Sequence, residues 1–105
     1  MSNIEKILIE VQDHLVPILD TYEQAIYHYL FRHTFLVGKE ETIFSTKRAE
    51  IGLGAGTAGT QPSESQRSKK LRSLESKGAI RILERSHKGI LVKVIPPREI
   101  TGLID

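Results

Sequence analysis

The chain has 105 residues, of which 39% are apolar and 27% are charged, as is typical of a single soluble globular domain. It contains no cysteine, which excludes disulfides and thiolate metal sites, and no apolar run approaches the roughly 18 residues of a membrane span. The opening sequence MSNIEKILIEVQDHL is too acidic for a secretion or transit peptide. We therefore expect a cytoplasmic protein without membrane association.

Charge is distributed unevenly along the chain, although the formal net charge at pH 7 is only +2. Residues 1–44 carry 3 basic and 7 acidic side chains, whereas residues 61–98 carry 10 basic and 3 acidic ones. A concentrated positive charge attracts phosphate. A run of lysines and arginines that stands alone is more often a solvated helix face. The structure predicted for the basic half therefore decides between the two interpretations.

The first predicted helix covers residues 3–15 and is followed by Pro17. Apolar residues recur along it at helical spacing, namely Ile4, Ile7, Leu8, Val11 and Leu15. Such a stripe can pack against its own domain, or it can form a helix–helix contact between two copies of the chain. We leave both alternatives open, so residues 1–17 are a candidate for homodimerisation.

The second predicted helix begins at Asp20, because Asp20 and Glu23 have the spacing of a capping box. It is rich in aromatic residues that lie all around a helix, which favours a place in the core over a surface on which bases stack. Arg32 and His33 follow near its end, where cations suit the helix dipole.

Residues 41–62 are predicted to form a short strand, a short helix and a glycine-rich loop. Glu41–Phe44 has strand propensity, and Ser45 can cap a helix that reaches Ile51. The loop contains a GxGxxG pattern at Gly54–Gly59. A nucleotide-binding fingerprint would follow a buried strand and open a long βαβ unit, and this chain has no room for one. We interpret the loop as a connector.

A basic helix is predicted over residues 63–77, with Ser63 and Gln66 as a capping pair and Gly78 as a left-handed cap. With Leu71 and Leu74 turned inward at about 100° per residue, its outward face is polar and cationic. That face holds Ser65, Gln66, Lys69, Ser73 and Ser76, flanked by Arg72. These side chains are suited to base edges and phosphates in a DNA major groove. Arg67 falls near the inward face, and we expect it to be exposed or to reach sideways.

A β-hairpin is predicted directly after this helix. Residues 79–83 and 90–95 alternate between apolar and polar side chains, as expected of strands with one buried face. Arg81, Arg85 and Lys93 lie along or beside the solvated face, and Lys88 lies at the tip, where it can meet phosphate. Pro96 and Pro97 end the sheet.

This order of elements resembles the winged helix-turn-helix family. The specific likeness is the segment LRSLESKGAI at residues 71–80, followed by a turn at Gly89 and a closing strand. It is similar to the segment by which the recognition helix enters the wing in many bacterial regulators. Residues 20–35 also resemble the first helix of the fold in plasmid and phage replication proteins. The resemblance implies an α+β winged-helix domain over residues 18–97, with a three-helix core, an additional N-terminal helix and a tail at residues 98–105.

By position, the resemblance assigns Ser65, Gln66, Lys69, Arg72 and Ser73 to the groove-facing side of the recognition helix, and Arg85 and Lys88 to the wing. The partner that it implies is double-stranded DNA, and the function is transcription regulation without a cofactor. The alternatives are the DNA-binding module of a plasmid, phage or mobile-element replication protein, and a winged helix used for protein–protein contact. The chain shows no spacing typical of a catalytic or metal site, so we do not expect an enzyme.

Overall fold

The computed structural model describes residues 3–45 and 63–104, which form an α+β fold of three α-helices and a small antiparallel sheet. The helices are α1 (Asn3–Glu10), α2 (Thr21–Arg32) and α3 (Glu64–Ser76), and the strands are β1 (Glu41–Phe44), β2 (Ile80–Ser86) and β3 (Gly89–Val94). The glycine-rich loop at residues 52–62, and all but the first residue of the short helix predicted before it, lie outside the described residues.

The first helix is shorter and less regular than predicted. The α-helical part ends at Glu10 and continues as a wider π turn over Val11–Leu15, in which Val16 N–H donates to the Val11 carbonyl. A single 3₁₀ turn that contains Pro17 follows. Proline has no N–H to donate and its ring collides with the carbonyl four residues earlier, so a regular α-helix cannot continue through this segment.

The apolar stripe of the first helical segment packs against the protein's own core. Val11 and Leu15 are fully buried, and Ile4 and Ile7 are partly buried against them. Leu8 and Ile9 point away, with 40% and 51% of their surfaces exposed. Homodimerisation through this segment stays a prediction, and a contact between two folded copies would have to use the residues that remain exposed.

Helix α2 begins as its sequence predicts. Asp20 and Glu23 form the expected capping box, in which each side chain accepts a backbone N–H of the other residue at 2.8 Å. The buried face of the helix holds Glu23, Ile26, Tyr27, Leu30 and Phe31. The Tyr27 hydroxyl donates to the Ile95 carbonyl at 3.1 Å, which ties α2 to the end of β3, and burial raises the pKa of Tyr27.

The three strands pair in the order β1–β3–β2, and both pairings are antiparallel. One face of the sheet closes the core, with Phe44, Ile80, Ile90, Val92 and Val94 buried. The predicted alternation of apolar and polar residues is therefore confirmed, although β2 runs three residues further than the predicted strand, to Ser86.

The hairpin contains a bulge and a tight turn. Leu83 is the extra residue of β2, since Ile82 pairs with Val92 and Glu84 pairs with Leu91. The turn at its tip requires glycine at position 89, where φ is +132° and an added Cβ would lie 2.7 Å from the Phe44 carbonyl oxygen. The tip of the hairpin is thus held close to the end of β1.

The C-terminal segment returns to the first helix. Arg98 pairs with the buried Glu10 at 2.6 Å, and Ile100 is buried in the core. Both ends of the described chain therefore contribute to the same hydrophobic core. In residues 3–45 and 63–104, no helix has the length and apolar character needed to cross a membrane.

Candidate nucleic-acid interface

Helix α3 has a buried side and a solvent-facing side that lie directly opposite each other. Arg67, Leu71 and Leu74 form the buried side. The opposite side is lined by four exposed residues at spacings of four, three and four, which places them along one line of a helix. We call this set the outer strip, and it consists of Ser65, Lys69, Arg72 and Ser76.

Both ends of α3 are fixed by local interactions that the sequence predicts. Ser63 and Gln66 form a capping box with two hydrogen bonds of 3.1 Å, and Gly78 has the left-handed φ of +82° that ends the helix. Gln66 Oε1 accepts the Ser63 N–H in this cap. A two-bond pairing of Gln66 with adenine would therefore compete with the cap.

A third side of α3 faces α2 and is polar. We call it the α2-facing row, and it consists of Lys70, Ser73 and Lys77. Lys70 Nζ lies 2.5 Å from Asp20 Oδ2, and Lys77 Nζ lies 2.7 Å from Glu23 Oε1. Ser73 Oγ donates to the other carboxylate oxygen of Glu23. The row therefore joins the two helices through the carboxylates that also cap α2.

The prediction that Ser73 points outward is wrong, because its hydroxyl is bonded to Glu23 on α2. Leu71 and Leu74 give the direction of the buried side but not its width, and α2 covers one flank of the helix as well as its centre. The expectation for Arg67 is also wrong. Its side chain lies at the centre of the buried side and only 4% of its surface is exposed.

Glu23 is a buried carboxylate, with 1% of its surface exposed. Burial by itself raises its pKa, but hydrogen bonds from Asp20 N–H, Lys77 and Ser73 outweigh this, so the pKa lies below the ordinary value. Asp20 behaves similarly, because the hydrogen bond from Lys70 outweighs the effect of burial and lowers its pKa. Asp20 in turn raises the pKa of Lys70. Both carboxylates are therefore ionised at neutral pH.

Arg85 and Lys88 are exposed near the tip of the hairpin. Because of the bulge at Leu83, Arg85 lies opposite Ile90, and residues directly opposite on neighbouring strands share a face. Arg85 is therefore on the same face of the sheet as the core residues. It lies nearer the tip of the hairpin than they do, and its side chain is exposed. Lys88 N–H donates to Ser86 Oγ at 3.2 Å and holds the turn.

The cations of the basic half fall into two classes. Lys70, Lys77 and Arg98 form ion pairs with carboxylates of the acidic half. Lys69 and Arg72 on the outer strip, and Arg85 and Lys88 on the hairpin, form no ion pair with any carboxylate in the described ranges. The four cations that the winged-helix resemblance assigns to DNA contact are thus unpaired in the described ranges, as are Arg81 on β2 and Lys93 on β3.

The role of Asp20 and Glu23 as partners of the α2-facing row was not predicted from the sequence. A signal was present, because Lys70, Ser73 and Lys77 repeat at helical spacing and the acidic half offers a capping box whose carboxylates need donors.

Among the described residues, no group of three histidine or acidic side chains is arranged to hold a metal ion. Comparison with known protein families, curated proteins and solved structures found no match for this chain.

Proposed function

We propose that this protein binds double-stranded DNA as a winged helix and regulates transcription. The order of helices and strands and the three-stranded antiparallel sheet are compatible with that fold. The observation that carries the proposal is the outer strip of α3. It is exposed, contains two cations without an ion pair in the described ranges, and contains no acidic residue.

In the proposed complex, α3 lies in the major groove with its outer strip against the DNA. Lys69 and Arg72 reach phosphates or guanine edges, and Ser65 and Gln66 contact base edges near the start of the helix. Ser73 is not part of this set, since its hydroxyl is engaged with Glu23. The hairpin acts as the wing, with Arg85 and Lys88 on the DNA backbone or in the minor groove.

The charge arrangement predicts a strong dependence of affinity on salt. Each cation that neutralises a phosphate releases condensed counterions. If Lys69, Arg72, Arg85 and Lys88 each neutralise one phosphate, the plot of log affinity against log salt concentration has a slope of about −3.6. The paired lysines Lys70 and Lys77 would contribute little to this slope.

Fluorescence anisotropy with a labelled random duplex of about 20 base pairs, at low salt and then at increasing salt, tests the proposal directly. We expect binding in the micromolar range that weakens steeply as salt is added. Absence of binding at tens of micromolar protein in low salt would contradict the proposal. An acidic protein partner that DNA fails to displace would instead favour a winged helix used for protein contact.

Selection of bound sequences from a random DNA pool then tests for sequence specificity. A defined consensus is expected if the outer strip contacts base edges, with each wrong base pair costing about 1–3 kcal/mol. Recovery of promoter-like sites supports transcription regulation, whereas repeated sites typical of replication origins would favour a replication module. Recovery of random sequences alone would contradict sequence-specific binding.

A further inference from the structure

The two faces of the sheet differ in their surroundings. One face closes the hydrophobic core, and the opposite face, which we call the outer sheet face, is turned away from the core. Ile43 on β1 lies on the outer sheet face, directly opposite Leu91 on β3. Half of the Ile43 surface is exposed (50%), although isoleucine is among the residues that are most often buried. An apolar side chain exposed to this extent can contribute to a contact with a partner.

The bulge in β2 adds a second exposed apolar side chain to the outer sheet face. Ile82 pairs with Val92 of the core face, so alternation along the strand turns Leu83 to the outer sheet face. Glu84 follows on that face as well, because it pairs with Leu91. Leu83 has 42% of its surface exposed. We call the apolar residues that cross the three strands here the apolar row, and it consists of Ile43, Leu91 and Leu83.

A second row, which we call the charged row, crosses the outer sheet face beside the apolar row. Lys93 lies on the central strand, with Glu41 directly opposite it on β1 and Arg81 directly opposite it on β2. The acidic residue is thus at one edge of the sheet and Arg81 is at the other edge. Two strand spacings, about 10 Å, separate these two residues, and they form no ion pair with each other within the described ranges.

The charged row is complementary to the charged row of a second copy of the chain. Two sheets pack face to face with their strands nearly aligned, and a symmetric dimer has a two-fold axis. With that axis parallel to β3, the sheet edges exchange places, so β1 of one copy lies over β2 of the other. Glu41 then meets Arg81 of the second copy, and symmetry makes this contact twice. Lys93 lies near the axis, between the Glu41 carboxylates of the two copies.

The same symmetry brings the two apolar rows together. Leu91 lies near the axis and meets its counterpart, and Ile43 meets Leu83 of the second copy. A shallow cavity of about 300 Å³ adjoins the row and is lined by Ile43, Leu91 and residues of the hairpin tip. It offers room for a side chain of the second copy, as interdigitation of two packed sheets requires.

We propose that this protein forms a symmetric homodimer through the outer sheet face. Charge favours a second copy over a nucleic acid, because Glu41 and Glu84 balance Arg81 and Lys93 on this face. The face is small, since its strands have four to seven residues and a standard interface buries roughly 800 Å² on each partner. We therefore expect a weak dimer with a Kd on the order of 100 µM.

Sedimentation equilibrium of the full chain over about 10–500 µM measures this association. The variant Ile43→Thr with Leu83→Thr removes the exposed apolar side chains and keeps residues that favour strands. We expect its dimer Kd to be at least about tenfold higher than that of the wild type. The control Leu8→Gln with Ile9→Gln removes two similarly exposed apolar side chains from α1 and should keep the wild-type Kd within about twofold.

Charge exchange tests whether the partner is a second copy in this arrangement. Glu41→Lys and Arg81→Glu should each raise the dimer Kd about fivefold or more, because like charges then meet across the interface. The double variant Glu41→Lys with Arg81→Glu restores opposite charges between copies, so its Kd should return to within about twofold of the wild type. Thermal unfolding of each variant at a dilution where the protein is monomeric checks that the variant is folded.

Three results would overturn the proposal. The first is a wild-type chain that stays monomeric at about 500 µM, which would leave the outer sheet face to a partner of different chemistry. The second is an equal loss of association in the α1 control, which would place the contact on the N-terminal helix. The third is a double charge variant as weak as the single ones. The samples contain no DNA, so the outcome does not depend on the proposed function.

Discussion

The α2-facing row and the outer strip of α3 have similar residues and opposite roles. Each contains two cations and at least one serine. In the row, Lys70 and Lys77 are paired with Asp20 and Glu23, and the contacts lie between two helices. In the strip, Lys69 and Arg72 are exposed and without ion pairs in the described ranges.

This difference shows that the number of positive charges on a segment does not locate a binding surface. Three of the ten cations in residues 61–98, namely Lys70, Lys77 and Arg98, are paired with carboxylates of the acidic half. The charge that remains for a partner is smaller than the sequence indicates, and it lies on the outer strip and the hairpin. Variants that change either the α2-facing row or the outer strip test whether the two sides of α3 have these separate roles.

The largest effect is expected from Glu23→Ala. Removal of this buried carboxylate takes the ion-pair partner from Lys77 and the acceptor from the Ser73 hydroxyl, and it breaks the capping box, so the free energy of unfolding should fall by about 2–3 kcal/mol. Urea denaturation at pH 7 measures the change. The control is Glu84→Ala, an exposed carboxylate of β2, which should change stability by less than about 0.5 kcal/mol. Equal losses in both variants would contradict a special role for Glu23.

The double variant Lys69→Gln with Arg72→Gln in the outer strip should lose DNA affinity and keep its stability. We expect affinity for duplex DNA to fall about tenfold or more, since two phosphate contacts are lost, while the free energy of unfolding changes by less than about 0.5 kcal/mol. Anisotropy titration and urea denaturation measure the two quantities. The control Lys6→Gln with Lys39→Gln loses the same charge, and an equal drop in its affinity would show that net charge alone determines binding.

Acid should weaken the contact between α2 and α3. The pKa of Glu23 in the folded protein lies below the ordinary value of 4.5, so its carboxylate stabilises the fold above that pH and loses this contribution as the pH falls further. We expect the free energy of unfolding of the wild type to decline below pH about 4.5. Glu23→Gln should show a smaller decline in denaturation curves recorded between neutral pH and pH 3. Parallel declines would argue against this assignment.

The smallest effect is expected from Lys70→Gln. Its partner Asp20 and the lysine itself are both partly exposed, and such pairs contribute about 0.5 kcal/mol to stability at low salt and less at high salt. DNA affinity should remain within about twofold of the wild type, because Lys70 lies on the α2-facing row. A loss of DNA affinity as large as that of the outer-strip variant would show that DNA contacts the α2-facing row and would contradict the assignment of the DNA-binding surface to the outer strip.

Features of this fold with local causes were predictable from the sequence. The capping boxes at Asp20 and Ser63 join residues three positions apart, and the left-handed Gly78 follows directly from the end of a helical pattern. The outward position of Lys69, with Arg72 beside it, was also predicted correctly, because Leu71 and Leu74 give the direction of the buried side. What these residues bind stays a prediction.

Features that depend on distant segments could not be predicted. Whether Ser73 faces solvent depends on where α2 crosses the helix, and that contact joins residues fifty positions apart. Arg67 occupies the centre of a buried side, where an apolar pattern would not place a charged residue. The position of Arg81 directly opposite Lys93 follows from the strand register, which alternation alone does not determine once a bulge is present.

Because of the bulge at Leu83, the direction of the hairpin tip can change while the charged residues on the tip stay the same. Leu83 has no partner of its own on β3, so its deletion can leave Glu84 opposite Leu91 and Arg85 opposite Ile90. The strand would lose its local bend and extra twist, and the tip that carries Lys88 would point in a new direction with the same cations. Cross-strand nuclear Overhauser contacts in such a deletion variant would show whether these pairs persist. A hairpin of this kind can be re-aimed at a differently shaped partner by the gain or loss of one residue.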